Sequence, residues 1–433
     1  MGSRAKFTSP FAPLQLSESE AESLERLSRV ILHNYVAQYE AFELARCDAG
    51  GGIDSRVWKP VKQKEDVRVF VQRKPESDSG GSFSGLRHTI ARLSGNSYVV
   101  PPSELPVILV AGSVVGKLDD LMYGLMSPTI EAMRVKTSYI DDHVSDTALL
   151  LTLAGPTQDD PFQSLVIKWA MNEQSALLRP AVHNRDFVYM ERTGLAFTST
   201  GERVGFHLFH SVHFPQTHEL PAFVRGNVSV CGIFRDNPAR GQVEFYARSI
   251  VDPRGSAMRP LVVLAAADIL IAGWKYIECA NRKKLTRRLM NKRKMTLAGR
   301  AANSADKLAA PVVIDLGPCS KCKRIPSVAG KMFSSVRRRR CALCTDYVCS
   351  SCRIKKTLSH VASATAKLRR RALSFCEACY DETCEMDAFA IAQQEIHEEA
   401  ARDANGDDAD DYRTDWGSAF SFQSDFYSLT NSE

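Results

Sequence analysis

The chain has 433 residues, of which 44% are hydrophobic and 24% are charged. This is the composition of a folded protein of two or three domains, and it excludes a collagen-like or wholly disordered chain. The net charge is +6, but residues 381–433 carry 15 carboxylates against two arginines, so residues 1–380 carry a net +19. The first ten residues hold no apolar signal-peptide core, and no uninterrupted apolar run reaches about 18 residues. We therefore expect a soluble intracellular protein.

The first two thirds of the chain predict a mixed α/β domain. A helix is expected over residues 17–47, because Ser17 and Glu20 can form a capping box and apolar residues follow at helical spacing. Short alternating runs then predict strands over 67–71, 107–112, 148–153, 164–171, 186–191, 203–214, 227–234 and 243–250. Helical patterns occupy 118–126, 129–133 and the long apolar segment 258–279. A mostly antiparallel sheet closed by one long helix makes an α+β domain.

Four short motifs in this domain occur in a recognisable order. They are Trp58, Asn184-Arg185-Asp186-Phe187-Val188-Tyr189, Val224-Arg225-Gly226 and Ile250-Val251-Asp252-Pro253-Arg254-Gly255. In this order and spacing they resemble a START domain, the fold of lipid-transfer-related proteins, over residues 55–290. The resemblance implies a helix-grip fold, in which a curved antiparallel sheet holds the C-terminal helix over an apolar cavity for a lipid or a sterol.

Several interpretations of this domain stay open at the level of the sequence. The apolar residues from Leu261 to Ile271 either line a lipid cavity or fill an ordinary core. Arg185 and Asp186 form either a structural ion pair or a binding site. The histidines at 207, 210 and 213 are interpreted as polar positions, because a spacing of three along one strand alternates faces and cannot converge on one ion. The sequence holds no nucleophile elbow, phosphate loop or H-E-x-x-H motif, so we expect no enzymatic activity.

Eight of the 12 cysteines form four C-x-x-C pairs toward the C-terminal end. The pairs are Cys319/Cys322, Cys341/Cys344, Cys349/Cys352 and Cys376/Cys379. Each pair can direct two thiolates at one ion, and Zn²⁺ takes four ligands in a tetrahedron, so eight ligands predict two structural zinc ions. The region is too short and too basic for a hydrophobic core, so its folding is expected to depend on the metal. Cys384 is interpreted as a spare thiol.

The gaps between the pairs, of 18, 4 and 23 residues, resemble those of a FYVE-type zinc finger over residues 313–385. The resemblance implies that pairs one and three hold one ion, and that pairs two and four hold the other. A RING finger would normally show a Cys-x-His step, which this chain lacks. FYVE fingers bind phosphatidylinositol 3-phosphate through a basic motif before the third cysteine, which corresponds here to Arg337, Arg338, Arg339 and Arg340.

Three phosphate-contact elements of that family are altered in this chain. Arg339 and Arg340 replace two histidines and Ala342 replaces an arginine. Residues 310–318, just before the first pair, contain no Trp, and Ser374-Phe375 replaces an Arg-Val step. Arginine still pairs well with phosphate, and Phe333 and Val336 could enter the bilayer interface as FYVE loop residues do. The sequence predicts a non-enzymatic peripheral protein that docks on anionic phosphoinositide membranes, with the cytoplasmic side of endosomes as the expected location.

A second function class is a zinc-dependent protein-interaction scaffold, nuclear or cytosolic, without specific lipid binding. Residues 282–300 hold nine Lys and Arg, a composition typical of a nuclear localisation signal, and residues 291–312 are expected to be a basic linker. Few aromatic residues accompany these charges, which disfavours nucleic acid as a partner. Residues 386–433 are expected to be an acidic, largely disordered tail with a helical start, which either solubilises the protein or competes with lipid phosphates for the finger.

Overall fold

The computed structural model describes residues 9–48, 50–73, 105–140, 142, 144–172, 184–255, 258–302, 317–325, 340–362 and 367–405. The chain forms two compact units. The first comprises Met1–Ile277 with Ala392–His397, and the second comprises Glu278–Ile391 with Glu398–Glu433. The sequence placed the end of the first domain at residue 290, whereas the contacts divide the chain at Ile277.

Helix α1 (Glu18–Asp48) begins the first unit. The backbone N–H of Ser17 donates to Glu20 Oε2 at 2.8 Å, and the N–H of Glu20 donates to Ser17 Oγ at 3.4 Å. These two bonds are the capping box that the sequence predicted, and they satisfy amide groups that the first turn leaves without helical partners. The chain leaves the helix through Gly50 and Gly51, whose positive φ angles suit glycine.

A large antiparallel sheet follows α1. Its strands are β1 (Trp58–Lys64), β2 (Val67–Gln72), β3 (Val107–Val115), β4 (Val144–Ala154), β5 (Ser164–Asn172), β6 (Arg185–Phe197), β7 (Arg203–Ser211), β8 (Val224–Arg225), β9 (Asn227–Asn237) and β10 (Gln242–Asp252). The order across the sheet is β1-β2-β3-β10-β9-β7-β6-β5-β4, with antiparallel pairing throughout, and the short β8 pairs with β6 in parallel. The sequence prediction of a mostly antiparallel sheet is confirmed.

One face of this sheet packs against α1 and is apolar. Alternate residues of β5 (Leu165, Ile167 and Trp169) enter one buried cluster with Ile31 and Tyr35 of the helix. Because side chains alternate across a strand, the residues between them point to the opposite face. We call that opposite face the inner face.

The inner face is covered by α2 (Leu118–Leu125), α3 (Ile130–Ile140), α4 (Arg259–Ile271) and a short 3-10 helix (Ala272–Lys275). A Cβ at Gly205 would lie 2.4 Å from Met122 Sδ, and a Cβ at Gly273 would lie 2.7 Å from Phe245 Cζ. A larger residue at either position would force the contacting side chain to move, so glycine suits this close packing. Helix α4 packs against β1, β2 and β3, so the predicted C-terminal helix does lie on the sheet.

The helical stretch Arg259–Met295 is long and apolar enough to cross a membrane by length and composition alone. A core helix passes the same test, because both require a run of apolar residues. In α4, the buried residues Val262, Val263, Ala266, Ala267 and Ile271 are those of a helix packed on a sheet. The stretch is accordingly assigned to the core of the first unit as far as Ile271.

The second unit contains most of α5 (Tyr276–Ala302), the hairpin β11 (Ile354–Ala362) and β12 (Lys367–Phe375), α6 (Glu377–Glu385) and part of α7 (Ala388–Asn405). Leu285 of α5 packs in one buried cluster with Val348, Leu358 and Phe375. The expected basic linker is thus helical as far as Ala302. The expected acidic tail is helical from Ala388 to Asn405, and residues 303–312 and 406–433 lie outside the described residues.

Lysines of the basic run 282–300 donate hydrogen bonds to backbone carbonyl groups within the second unit. Lys284 Nζ donates to the carbonyl oxygens of Cys384 and Met386 at 3.0 and 2.6 Å, at the carboxyl end of α6. Lys292 Nζ donates to the carbonyl oxygen of Leu343 at 2.6 Å. Cations near the end of a helix satisfy carbonyl groups that have no helical partner. These lysines therefore attach α5 to the cysteine-rich segment.

Candidate metal centres and a buried polar cluster

The eight paired cysteines gather into two groups of four in the second unit. One group is Cys319, Cys322, Cys349 and Cys352, and the other is Cys341, Cys344, Cys376 and Cys379. The sulfur atoms of each group all lie within 4.8 Å of one another. Pairs one and three meet, as do pairs two and four, which is the crossed arrangement that the FYVE resemblance implied. Cys384 is in neither group.

Hydrogen bonds to sulfur support both groups. The backbone N–H of Cys349 donates to Cys319 Sγ, and that of Cys379 donates to Cys376 Sγ, both at 3.4 Å. Ser351 Oγ lies 3.2 Å from Cys349 Sγ, and this contact, followed by one with Cys352, is the main cause that lowers the pKa of Cys349 to about 6. Donors aimed at sulfur favour the thiolate, which is the form that binds metal ions.

The chain makes the same turn after the first and the second pair. Lys323 and Thr345, each next to the second cysteine of its pair, have φ angles of 60° and 71°. The N–H of Lys323 donates to the carbonyl oxygen of Cys319, and that of Thr345 donates to Cys341, both at 2.9 Å. Because few side chains favour a positive φ, the surrounding structure must hold Lys323 and Thr345 in this turn.

The residues of both groups suit a structural zinc ion. Four sulfur donors, with no oxygen or nitrogen in either group, form the donor set typical of closed tetrahedral Zn²⁺ sites. In each group, one cysteine pair directly follows a buried apolar residue: Val348 precedes Cys349, and Phe375 precedes Cys376. The two groups could thus hold two metal ions and fix the hairpin and α6 to the first two cysteine pairs.

Most of the predicted lipid-binding motif lies outside the described residues. This applies to Phe333, Val336 and residues 337–339, whereas Arg340 is described. Arg340 forms an antiparallel bridge with Tyr347, and its Nη1 donates to the carbonyl oxygen of Thr345 at 3.1 Å. At least one arginine of the motif therefore lies directly against the second metal group.

The hairpin β11–β12 carries an exposed cationic surface that the sequence analysis did not single out. Its members are Lys355 on β11 and the consecutive exposed residues Leu368, Arg369 and Arg370 of β12. Leu368 and Arg370 point to one face of the hairpin and Arg369 to the other, and Lys355 lies opposite Ser374, nearer the other end. The run Lys367 to Arg371, with four cations in five residues between two cysteine pairs, was the signal that could have identified it. We call these four exposed residues the hairpin patch.

A buried polar cluster lies on the inner face of the first unit. Lys168 Nζ of β5 donates to Glu191 Oε2 at 2.6 Å and to the carbonyl oxygen of Ser127 at 2.7 Å. The other carboxylate oxygen of Glu191 lies 3.0 Å from His207 Nε2. All three side chains are at most 3% exposed. Strand pairing of β5, β6 and β7 brings these residues together on one face, opposite the apolar cluster that packs on α1.

The environment shifts the pKa values of this cluster. Burial lowers the pKa of Lys168 to about 8, although Glu191 opposes the shift. Burial also lowers the pKa of His207, again against the effect of Glu191. Burial alone would raise the pKa of Glu191, but Lys168, Lys136 and His207 hold it well below its usual range. Glu191 is therefore charged at neutral pH, and its charge is shared between two neighbours.

The residues behind the START resemblance form a network that holds loops to the sheet. Asp186 Oδ2 accepts from Trp169 Nε1 at 2.9 Å and from Arg225 Nη2 at 2.8 Å. Arg185 donates to the carbonyl oxygens of Pro253 and Arg254 at 3.3 and 3.4 Å. Three motifs that are distant in sequence thus contact one another, which favours the structural interpretation of Arg185 and Asp186.

The three histidines point to separate partners. His207 contacts Glu191 on the inner face, whereas His210 Nδ1 lies 3.1 Å from Ser229 Oγ and His213 Nε2 lies 3.3 Å from Asn227 Oδ1. As expected from their spacing, they do not converge on one site. The carboxylate partner of His207 was missed, because Glu191 is distant in sequence and its proximity depends on strand register.

Comparison with known proteins gives matches for structure only. No family model matches the chain, and no curated protein matches it. Among solved structures, human STARD10 is 14% identical with a TM-score of 0.35, and the match covers 55% of this chain and 78% of that one. Human StAR-related lipid transfer protein 5 is 15% identical with a TM-score of 0.34, over 57% of this chain and 97% of that one. A STAR-related lipid transfer protein fragment from Xanthomonas axonopodis is 17% identical with a TM-score of 0.33, over 51% and 96%.

Proposed function

We propose that this protein is a non-enzymatic lipid-binding protein that attaches to anionic membranes. In this proposal Zn²⁺ fills both cysteine groups, the second unit docks on phosphoinositide-containing membranes, and the first unit holds a lipid between its inner face and its helices. The endosomal surface on the cytoplasmic side is the proposed location, and phosphatidylinositol 3-phosphate is the first phosphoinositide to test.

The observation that carries the docking proposal is the hairpin patch. Leu368 and Arg370 are exposed on one face of β12 and Arg369 is exposed on the other, while Lys355 is exposed opposite Ser374, four residues along β12 from Arg370. Each cation near an anionic membrane surface contributes about 1 kcal/mol, and guanidinium groups pair with phosphate through two parallel hydrogen bonds. An apolar side chain between cations adds contact with the bilayer interface. In this proposal the arginines at 337–339 contribute further positive charge to membrane docking.

The nuclear or cytosolic scaffold remains the alternative. One argument for it, a nuclear localisation signal in residues 282–300, is weakened because cations of this run bind partners within the second unit. A nuclear localisation signal must be read as an accessible segment, whereas Lys284, Lys292 and Arg287 bind partners within the second unit. Arg287 Nη2 donates to Glu398 Oε1 at 2.8 Å. These contacts favour a structural role for residues 282–294, whereas the cations of the hairpin patch are exposed.

Flotation of the full-length protein with liposomes tests membrane docking. The vesicles contain phosphatidylcholine alone, phosphatidylcholine with phosphatidylserine, or phosphatidylcholine with phosphatidylinositol 3-phosphate at matched charge. We expect binding to both anionic compositions and none to phosphatidylcholine alone. Arg369→Ala with Arg370→Ala should weaken binding by about 2 kcal/mol, roughly 30-fold. The matched control replaces Arg26 and Arg68, two exposed arginines of the first unit.

The outcomes separate docking from specificity. Absence of binding to any anionic vesicle would overturn the membrane proposal. Binding that follows charge alone would overturn only the preference for phosphatidylinositol 3-phosphate. A fluorescent fusion with residues 337–340 changed to alanine tests location, since loss of punctate staining supports membrane attachment and persistent nuclear signal supports the scaffold.

A further inference from the structure

Helix α4 of the first unit is apolar on all its sides, but its buried residues lie on one side. From Leu261 to Ile271 its one charged residue is Asp268. The buried residues, such as Val262 and Ala266, are those on the side that packs against the sheet. A helix that is apolar all round normally has apolar surroundings on every side. The outward side of α4 therefore calls for a second apolar neighbour.

The outward side of α4 exposes large apolar side chains. Met258, at the N-terminus of the helix, is 66% exposed, and Leu264 is 51% exposed. Leu261 lies between them at intervals of three residues and is half-buried. Because positions three apart are neighbours on a helix, the three side chains form one strip. Only 39% of the apolar 18-residue window within Arg259–Met295 is buried, whereas a helix enclosed in a core is mostly buried.

Cations of the edge strand β1 border this strip. Asp268 lies one turn after Leu264 on the same side of α4, and Lys62 Nζ is bonded to its Oδ1. Lys64 lies two residues further along β1 and so on the same face, with its Nζ 5.2 Å from the centre of the Trp274 ring. Both lysines are exposed, and Trp274 is half-buried. The apolar strip thus ends beside two exposed cations and an aromatic ring.

This combination matches the layers of an anionic bilayer surface. Apolar side chains enter the boundary of the acyl chains, lysines attract anionic headgroups, and tryptophan favours the level between the two. We propose that the outward side of α4 and the adjoining edge of β1 are a membrane-contact surface of the first unit. Its members, which we call the α4 surface, are Met258, Leu261, Leu264, Lys62, Lys64 and Trp274. The inference rests on the proposed membrane attachment and adds to it a surface whose residues are all outside the hairpin patch.

Flotation of the zinc-loaded, full-length protein tests the α4 surface, with vesicles of phosphatidylcholine and phosphatidylserine. Leu264→Gln should weaken binding about fivefold, because roughly half of the burial energy of a leucine is lost. The matched control is Leu44→Gln, since Leu44 is 69% exposed on α1, which packs on the other face of the sheet. That variant should bind as the wild type does. Lys64→Gln should also weaken binding about fivefold, by a factor that shrinks at high salt.

Tryptophan quenching gives a second measurement that reports contact with the bilayer directly. Bromine atoms on lipid acyl chains quench a tryptophan that lies against them, and the same vesicles without bromine provide the reference. We expect quenching in the wild type, and Trp274→Phe should remove at least half of it. The unfolding midpoints of Leu264→Gln and Lys64→Gln should match that of the wild type, because both side chains are exposed.

The outcomes distinguish this inference from the proposed function. Unchanged vesicle binding in Leu264→Gln, or unchanged quenching in Trp274→Phe, would refute the α4 surface. Equal losses in Leu264→Gln and Leu44→Gln would refute it too, since the effect would not depend on the position. In each case weaker binding of Arg369→Ala with Arg370→Ala would leave the proposed docking intact. Absence of binding to any anionic vesicle would overturn the proposed function itself.

Discussion

Arg225 Nη2 donates to Asp186 Oδ2 at 2.8 Å, and the two side chains are 3% and 0% exposed. The pair joins β8 to β6, the two strands that run parallel among those the structure describes. Arg225 Nη1 also donates to the carbonyl oxygen of Thr217 at 3.0 Å, so the same arginine holds the preceding loop. The motif that contains Arg225 thus holds β8 and the loop before it to one end of the sheet.

Removing one partner of this pair should be strongly destabilising. Asp186→Ala leaves Arg225 buried without its counter-ion, and such a change typically costs about 3–5 kcal/mol of unfolding free energy. Glu219→Ala is the control, because Glu219 pairs with Arg254 at 3.2 Å but its side chain is largely exposed. That change should cost less than about 1 kcal/mol. Denaturant unfolding of the full-length variants measures both, and similar losses would contradict the structural role assigned to Asp186.

Metal content gives a direct check on the two cysteine groups. We expect two zinc ions per chain, and Cys349→Ser should lose at least one of them because four-sulfur sites are closed tetrahedra. Cys384→Ser should retain both, since Cys384 is in neither group. Elemental analysis of the purified proteins provides the numbers. Removal of metal with a chelator should unfold the second unit, as followed by circular dichroism. Two ions bound to Cys349→Ser would show that the crossed pairing is wrong.

The turn after the second cysteine pair offers a stabilising substitution. Thr345 is a β-branched residue at a φ of 71°, a conformation that glycine adopts without strain. Thr345→Gly should therefore stabilise the second unit by about 1 kcal/mol. Thr345→Ala retains the strain and serves as the matched control. The measurement is the chelator concentration at which half of the zinc is released; an equal midpoint for both variants would argue against strain at this turn.

His210 should make the first unit sensitive to acid. Burial lowers the pKa of His210 to about 3 from its ordinary 6.5. The unfolded chain therefore binds a proton that the folded chain excludes, so the stability from this group is complete above pH 6.5 and is lost as the pH falls toward 3. The loss approaches about 1.4 kcal/mol per pH unit in that window.

Substitution separates this effect from the titration of carboxylates. His210→Gln should reduce the slope of unfolding free energy against pH between 6.5 and 4, as measured by denaturant unfolding at several pH values. His33→Gln, at an exposed position of α1, should leave the slope as in the wild type. An unchanged slope in His210→Gln would mean that other groups cause the acid sensitivity.

Elements with a local cause were predicted well from the sequence. The capping box of α1 involves Ser17 and Glu20, which are three residues apart, and both of its hydrogen bonds are present. The predicted strands of the sheet lie within one to several residues of the observed ones, because alternation of apolar and polar residues records which face is buried. The hairpin patch was not identified, although three of its four residues are consecutive, because exposure of each side chain depends on what covers the strand.

The sequence by itself determined the eight cysteine ligands of the two metal groups and the antiparallel sheet with its closing helix. It also determined that residues 1–380 are basic and residues 381–433 are acidic. These follow from spacing, periodicity and composition, which are local properties. Only the tertiary structure decided which charges meet. Lys168 and Glu191 are 23 residues apart, and Asp186 and Arg225 are 39 apart. Their contacts depend on strand register and on how helices cover the sheet, and neither can be deduced from local sequence patterns.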